Sequence, residues 1–132
     1  MTVICNLIAA SIGRDCQVLD EDGRYAVIAT PLRYSDGDPV PVFLDCTSGM
    51  LRFCDDGGTI FYLLGCGMGL DCDEEAIRLA ELIGRHGAAL NDAGEVEIAF
   101  ALDDAQPAFE RFLAAMGAVV AWETEWNTAG VN

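Results

Sequence analysis

Two adjacent carboxylates ahead of two glycines, Asp55-Asp56-Gly57-Gly58, form the stretch whose residue types could do chemistry. Joined by Asp36 or Asp38, they could hold a divalent cation. Acids placed just before a helix have a plainer use. They accept hydrogen bonds from the unpaired amides of its first turn and meet the positive end of its dipole. Capping is therefore the expectation at Asp55 and Asp56. The glycines are not read as a phosphate cradle, because no lysine follows them and the flanking acids repel an anion.

The other reactive types are sparse. A thiol enzyme needs the single histidine, His86, beside a cysteine and an orienting group. His86 instead falls in the last turn of an expected helix, where imidazole meets the negative end of the dipole. The cysteines stand at Cys5, Cys16, Cys46, Cys54, Cys66 and Cys72, and no pair has the C-x-x-C spacing of a zinc site. No serine elbow and no H-E-x-x-H pattern occurs. The expectation is a protein that is not an enzyme, with no cofactor and no metal. A thiol or metal-dependent enzyme ranks third among the function classes.

Net charge is the unusual quantity. Seven arginines and no lysine stand against 22 acids in 132 residues, a formal charge of −15. Spread over the surface of a compact chain this size, that is about one uncompensated negative charge per 450 Å². Such a surface repels nucleic acid and anionic lipid and attracts basic proteins. Excess carboxylate also keeps an apolar-rich protein soluble, and 52% of these residues are hydrophobic. The apolar run Val3 to Ile12 has no basic residue before it and is too short to span a bilayer, so a cytoplasmic location and a reducing environment are expected.

Periodicity supplies the elements that position these residues. Residues 2–14 read as an amphipathic helix with Val3 or Ile4, Leu7, Ile8 and Ile12 inward. Cys16–Leu19, Arg24–Arg33, Val40–Asp45 and Met50–Cys54 read as four strands of an antiparallel meander with short turns. Thr59–Leu64 reads as a short buried helix capped by Thr59. A second helix starts at Asp71 with Glu74 as a capping box, buries Ala76, Leu79, Ala80 and Ile83, and closes at Gly87. Ala88–Leu90 and Glu95–Ala101 make a later hairpin. A last helix, capped by Asp103 or Asp104, carries the stripe Phe109, Phe112, Leu113, Met116 and Val120. Trp122 and Trp126 lie one turn apart near its end. The order α-β-β-β-β-α-α-β-β-α, with strands and helices segregated, defines an α+β fold. Residues 1–126 form one domain and residues 127–132 a loose tail.

The run Arg24 to Pro31, then Asp36-Gly37-Asp38, then Asp55-Asp56-Gly57 with Thr59 and Leu63, and the Asp92…Gly94-Glu95 turn resemble domain of unknown function 1828, a family of small bacterial and phage-borne domains. The likeness runs from the first helix to the last. It implies a small α+β domain without accepted catalytic residues. The absence of lysine and the six cysteines depart from the usual look of the family.

Three readings of function follow. The first is an acidic, non-catalytic interaction protein of phage or mobile-element origin. It would imitate the phosphate ladder and occlude the basic surface of a nucleic-acid-binding host defence complex, as anti-CRISPR and anti-restriction DNA mimics do. It would contact neither nucleic acid nor membrane directly. Its partner-binding residues would be Asp20, Glu21, Asp22, Asp36, Asp38, Asp71, Asp73, Glu74, Glu75, Glu95 and Glu97. The second is a housekeeping or toxin–antitoxin-linked module that binds protein through its sheet face or through Trp122 and Trp126. The enzyme is the third.

Overall fold

The computed structural model describes residues 3–47, 49–70 and 73–129. The sheet is laid down first. Strands β1 (Cys16–Val18), β2 (Tyr25–Ile28), β3 (Val42–Asp45) and β4 (Leu51–Cys54) run as an antiparallel meander, as their short connections demand. The later hairpin of β5 (Ala89–Leu90) and β6 (Val96–Phe100) joins β4 through β6. The sheet order is β1-β2-β3-β4-β6-β5, antiparallel throughout. Each strand is one or more residues shorter than its apolar run, because turn hydrogen bonds take the ends. Arg33, expected at the end of β2, instead makes an isolated bridge to Pro39.

Alternation assigns two faces. Ala26, Ile28, Val42, Leu44, Phe53, Val96 and Ile98 are buried on one of them. Helices α1 (Val3–Ile12), α3 (Asp73–Gly84) and α4 (Ala105–Ala129) pack with that face in a single core. Phe53 is its centre, stacked on Phe100 at 4.5 Å and meeting Phe109 of α4 edge-on at 5.2 Å. Its truncation to Ala costs about 3–5 kcal/mol. The register places Tyr25, Val27, Phe43, Asp45, Arg52, Cys54, Glu97 and Ala99 on the other face, away from the helices.

Several helical details differ from expectation. In α1, Cys5 and Ile8 are buried with Ile4 and Ile12 beside them, whereas Leu7 is 53% exposed. The inward stripe is therefore turned by one position. In α3 the buried side is Leu79, Leu82 and Ile83, and Ala80 faces solvent. The expected cap at Asp71 lies outside the described residues. Gly87 does end this segment, with φ of 84° and the Ala88 amide returning to the Ile83 carbonyl at 3.1 Å. Asp103 and Asp104 sit in a 3-10 turn, Leu102–Asp104, that leads into α4, and neither side chain caps that turn. Helix α4 continues to Ala129, three residues into the expected tail. Residues 130–132 lie outside the described residues.

Candidate functional site

Asp55 is the joint between the sheet and α2 (Gly58–Gly65). Its carboxylate is fully buried and takes three backbone amides. Oδ1 accepts from Gly57 at 3.0 Å and Val96 at 2.8 Å, and Oδ2 accepts from Thr59 at 2.9 Å. One side chain thus ties β4 to the start of β6 and satisfies the first turn of α2. Asp55 acts as a cap, as expected. The cap assigned to the Thr59 hydroxyl is corrected: the residue before the helix is Gly57, with φ of 78°, and Thr59 contributes its amide. The Thr59 and Tyr34 hydroxyls are buried close to one another, and neither meets any other hydrogen-bond partner among the described residues. Asp56 has φ of 56°, the one positive φ outside glycine among the described residues.

The outer sheet face is organised by Arg52. Nη2 meets Asp45 at 2.7 Å, while Nη1 meets Glu95 at 2.9 Å and Glu97 at 2.7 Å. Asp45 lies directly across from Arg52 in the β3–β4 pair, and Glu97 is the diagonal neighbour on β6. Asn91 Nδ2 donates to Glu95 at 2.9 Å, and its Oδ1 accepts the Glu95 amide at 3.0 Å. Burial works to raise the Asp45 carboxyl, but the Thr47 hydroxyl and amide and the Arg52 guanidinium together bring it below the usual carboxylate range. Hydrogen bonds from Arg52 and then Asn91 lower Glu95. Beside this network the Tyr25 ring stacks on Phe43 at 5.4 Å. Burial, and then nearby Cys54 and Asp56, push its phenol up.

A second feature lies at the opposite end of the strands from the β1–β2 turn. The loop of residues 32–40 and α2 enclose a cleft of about 380 Å³. Tyr34 and Tyr62 stack on its wall with centroids 3.7 Å apart and planes 9° apart. Phe61 stands 82% exposed at its lip, and Asp36 and Asp38 line its rim. The loop is held from behind by Glu123 of α4, which is fully buried. Its carboxylate accepts the Ser35 amide at 3.0 Å and the Ser35 hydroxyl at 2.5 Å.

The acids expected to bind a partner are divided by this geometry. Glu95 and Glu97 are engaged by Arg52. Asp20 accepts the Arg24 and Tyr25 amides at 2.9 and 3.0 Å, shaping the β1–β2 turn. Glu75 accepts the Gly69 amide at 3.0 Å. Glu21 and Asp22 are exposed at one end of the sheet, Asp36 and Asp38 at the other, and Glu74 on α3. Asp71 and the Asp73 side chain lie outside the described residues. Glu123 and Ser35 were missed altogether. A charged residue between two tryptophans on a helix reads as a solvent-facing position, and nothing local reveals its burial.

Trp122 and Trp126 are half-buried and pack against the core. The His86 imidazole meets no hydrogen-bond or ion-pair partner among the described residues. Burial pushes the Cys5 and Cys54 thiols up to about 12, opposite to the shift that arms a nucleophile. Among the described residues no three His, Cys, Asp or Glu side chains group so as to hold a metal, and no helix is long and apolar enough to cross a membrane.

Against known proteins, residues 30–119 match the family described as Domain of unknown function DUF1828. With most of the chain covered, the protein belongs to that family. No curated protein and no solved structure matches it.

Proposed function

We propose that this protein is a non-catalytic interaction protein that engages the basic surface of a protein partner through carboxylates it does not neutralise itself. One observation carries the reading. Among the described residues every ion pair converges on Arg52, so the remaining exposed acids of a −15 chain meet no cation of their own. An anionic surface of that kind steers basic partners over a Debye length of about 8 Å.

The sharpest form of this reading is a mimic of nucleic acid that blocks a host defence complex, in the manner of anti-CRISPR or anti-restriction proteins. The acids sit in separate groups at the two ends of the sheet and on α3, which favours clustered contacts over a continuous phosphate ladder. A second reading, a binding module that uses its sheet, is favoured by the stacked Tyr25 and Phe43 on the face away from the helices.

The test is a pull-down against nucleic-acid-binding defence complexes, then competition with DNA across a salt series. The acidic-surface reading expects binding that weakens steeply with salt, and its mimic form expects displacement by DNA. Capture that resists both salt and saturating DNA rules it out in favour of the sheet-face module.

A further inference from the structure

We infer that the cleft between the 32–40 loop and α2 is a receptor for an arginine side chain presented by a protein partner. The inference rests on the acidic-interaction reading and names where, and by what chemistry, the partner is held.

Three independent observations converge on the cleft. Its surface is aromatic, with the stacked Tyr34–Tyr62 pair as wall and Phe61 as lip. A phenylalanine 82% exposed on a helix of eight residues gains nothing for the fold, since it buries almost no surface there. Its rim is anionic. Asp36 and Asp38 line the opening, and none of the chain's arginines is among the lining residues. Arg33, the nearest in sequence, donates Nη1 to the Gly37 carbonyl at 3.3 Å and pairs with neither aspartate. Finally, the cleft is held in shape before any partner arrives. Glu123 fixes the loop through Ser35, the Asp36 carboxylate accepts the Asp38 amide at 2.9 Å, and Gly58 admits Pro41 so closely that an added Cβ would stand 3.3 Å from its Cγ.

Aromatic faces beside carboxylates select a flat cation. Guanidinium stacks on a ring and bonds a carboxylate through parallel N–H groups, whereas ammonium offers a compact, strongly hydrated charge. Burial first, and then a hydrogen bond to Asp36, raises the Tyr62 phenol, so the Asp36 carboxylate already faces the ring wall of the cleft. A partner arginine would lay its stem along Phe61 and place its fork toward Asp36 and Asp38. The pre-shaped loop would lower the ordering cost of capture.

The probe is the capped tripeptide Gly-Arg-Gly, with Gly-Lys-Gly and Gly-Gln-Gly as controls, titrated into the intact labelled protein at low salt and followed by amide shifts. The expected result is a response confined to residues 34–38 and 58–66, with arginine stronger than lysine and glutamine silent. Phe61→Ala should weaken arginine binding about fivefold. Asp36→Asn with Asp38→Asn should weaken it further while keeping the Asx acceptor of the loop, and Arg33→Gln should tighten it slightly. Should arginine and lysine perturb acids over the whole surface equally, with Phe61→Ala without effect, the cleft is overturned while the acidic-surface reading stands. Silence from both cationic peptides also overturns the cleft. The acidic-surface reading falls separately, through a salt-independent pull-down.

Discussion

The outer sheet face and the α2 cleft treat the same raw material in opposite ways. Around Arg52 three carboxylates converge on one guanidinium, and Asn91 and Thr47 fill other acceptor positions. Around the cleft, two carboxylates stand at the rim of an aromatic hollow with no guanidinium in the lining. The first region consumes its charge in holding strands together. The second leaves it available. Counting acids therefore cannot find a binding surface in a chain of −15, whereas asking which acids the fold has already neutralised can.

The contrast can be broken most forcefully at the joint between the two regions. Asp55→Ala removes the acceptor for three amides, two of them in buried hydrogen bonds, and should cost about 3–5 kcal/mol in urea unfolding. Arg52→Gln comes next. It leaves Asp45, Glu95 and Glu97 facing one another, and about 2–3 kcal/mol should be lost at pH 7, below the range for a fully buried pair because the guanidinium keeps some water.

The pH dependence separates this network from a merely polar surface. Asp45 and Glu95 have folded pKa values below their unfolded ones. Their stabilisation is complete above the unfolded carboxylate values and is lost as pH falls through the folded ones, so wild-type stability should decline below about pH 4. In Arg52→Gln that loss should shrink to the part that Thr47 holds at Asp45 and Asn91 holds at Glu95, and the deficit against wild type should narrow as the carboxylates protonate. Denaturation midpoints at pH 7, 5 and 3 decide it.

Smaller effects sharpen the cleft side. Tyr34→Phe with Thr59→Val removes two buried hydroxyls that bond to no third group, and should leave stability within about 1 kcal/mol of wild type, or improve it. Phe61→Ala should leave the thermal midpoint unchanged, as an exposed position that serves a partner rather than the core. A marked fall in the midpoint would return Phe61 to the fold and remove the contrast.

Much of the architecture was legible because its signals are local. The alternation of Val96, Ile98 and Phe100 and the acids before a glycine pair state their structure within a few residues. The functional division of the acids was not legible. Glu95 and Glu97 read as free outward carboxylates on β6, and only the pairing of β6 with β4 brings Arg52, more than forty positions away, between them. Thr59 reads as a cap because its hydroxyl could accept amides two or three residues on, yet the helix already begins at Gly58, which puts Thr59 inside the first turn with its amide held by Asp55. Leu7 and Ala80 face outward because periodicity marks an apolar stripe without fixing which edge of it meets the core.

The Glu123–Ser35 hydrogen bonds bridge 88 positions. Contacts of that span form late, because the intervening chain must first be closed. During synthesis Ser35 emerges long before Glu123, so the sheet can pair while the 32–40 loop still lacks its anchor. The cleft should be the last part of the molecule to take shape, and shortening α4 ahead of Glu123 should cost the cleft before it costs the sheet. The region matched to the family ends at residue 119, one turn short of that anchor. The shape of the loop thus depends on a residue outside the stretch that identifies the family, and relatives that differ there are free to present the same loop differently.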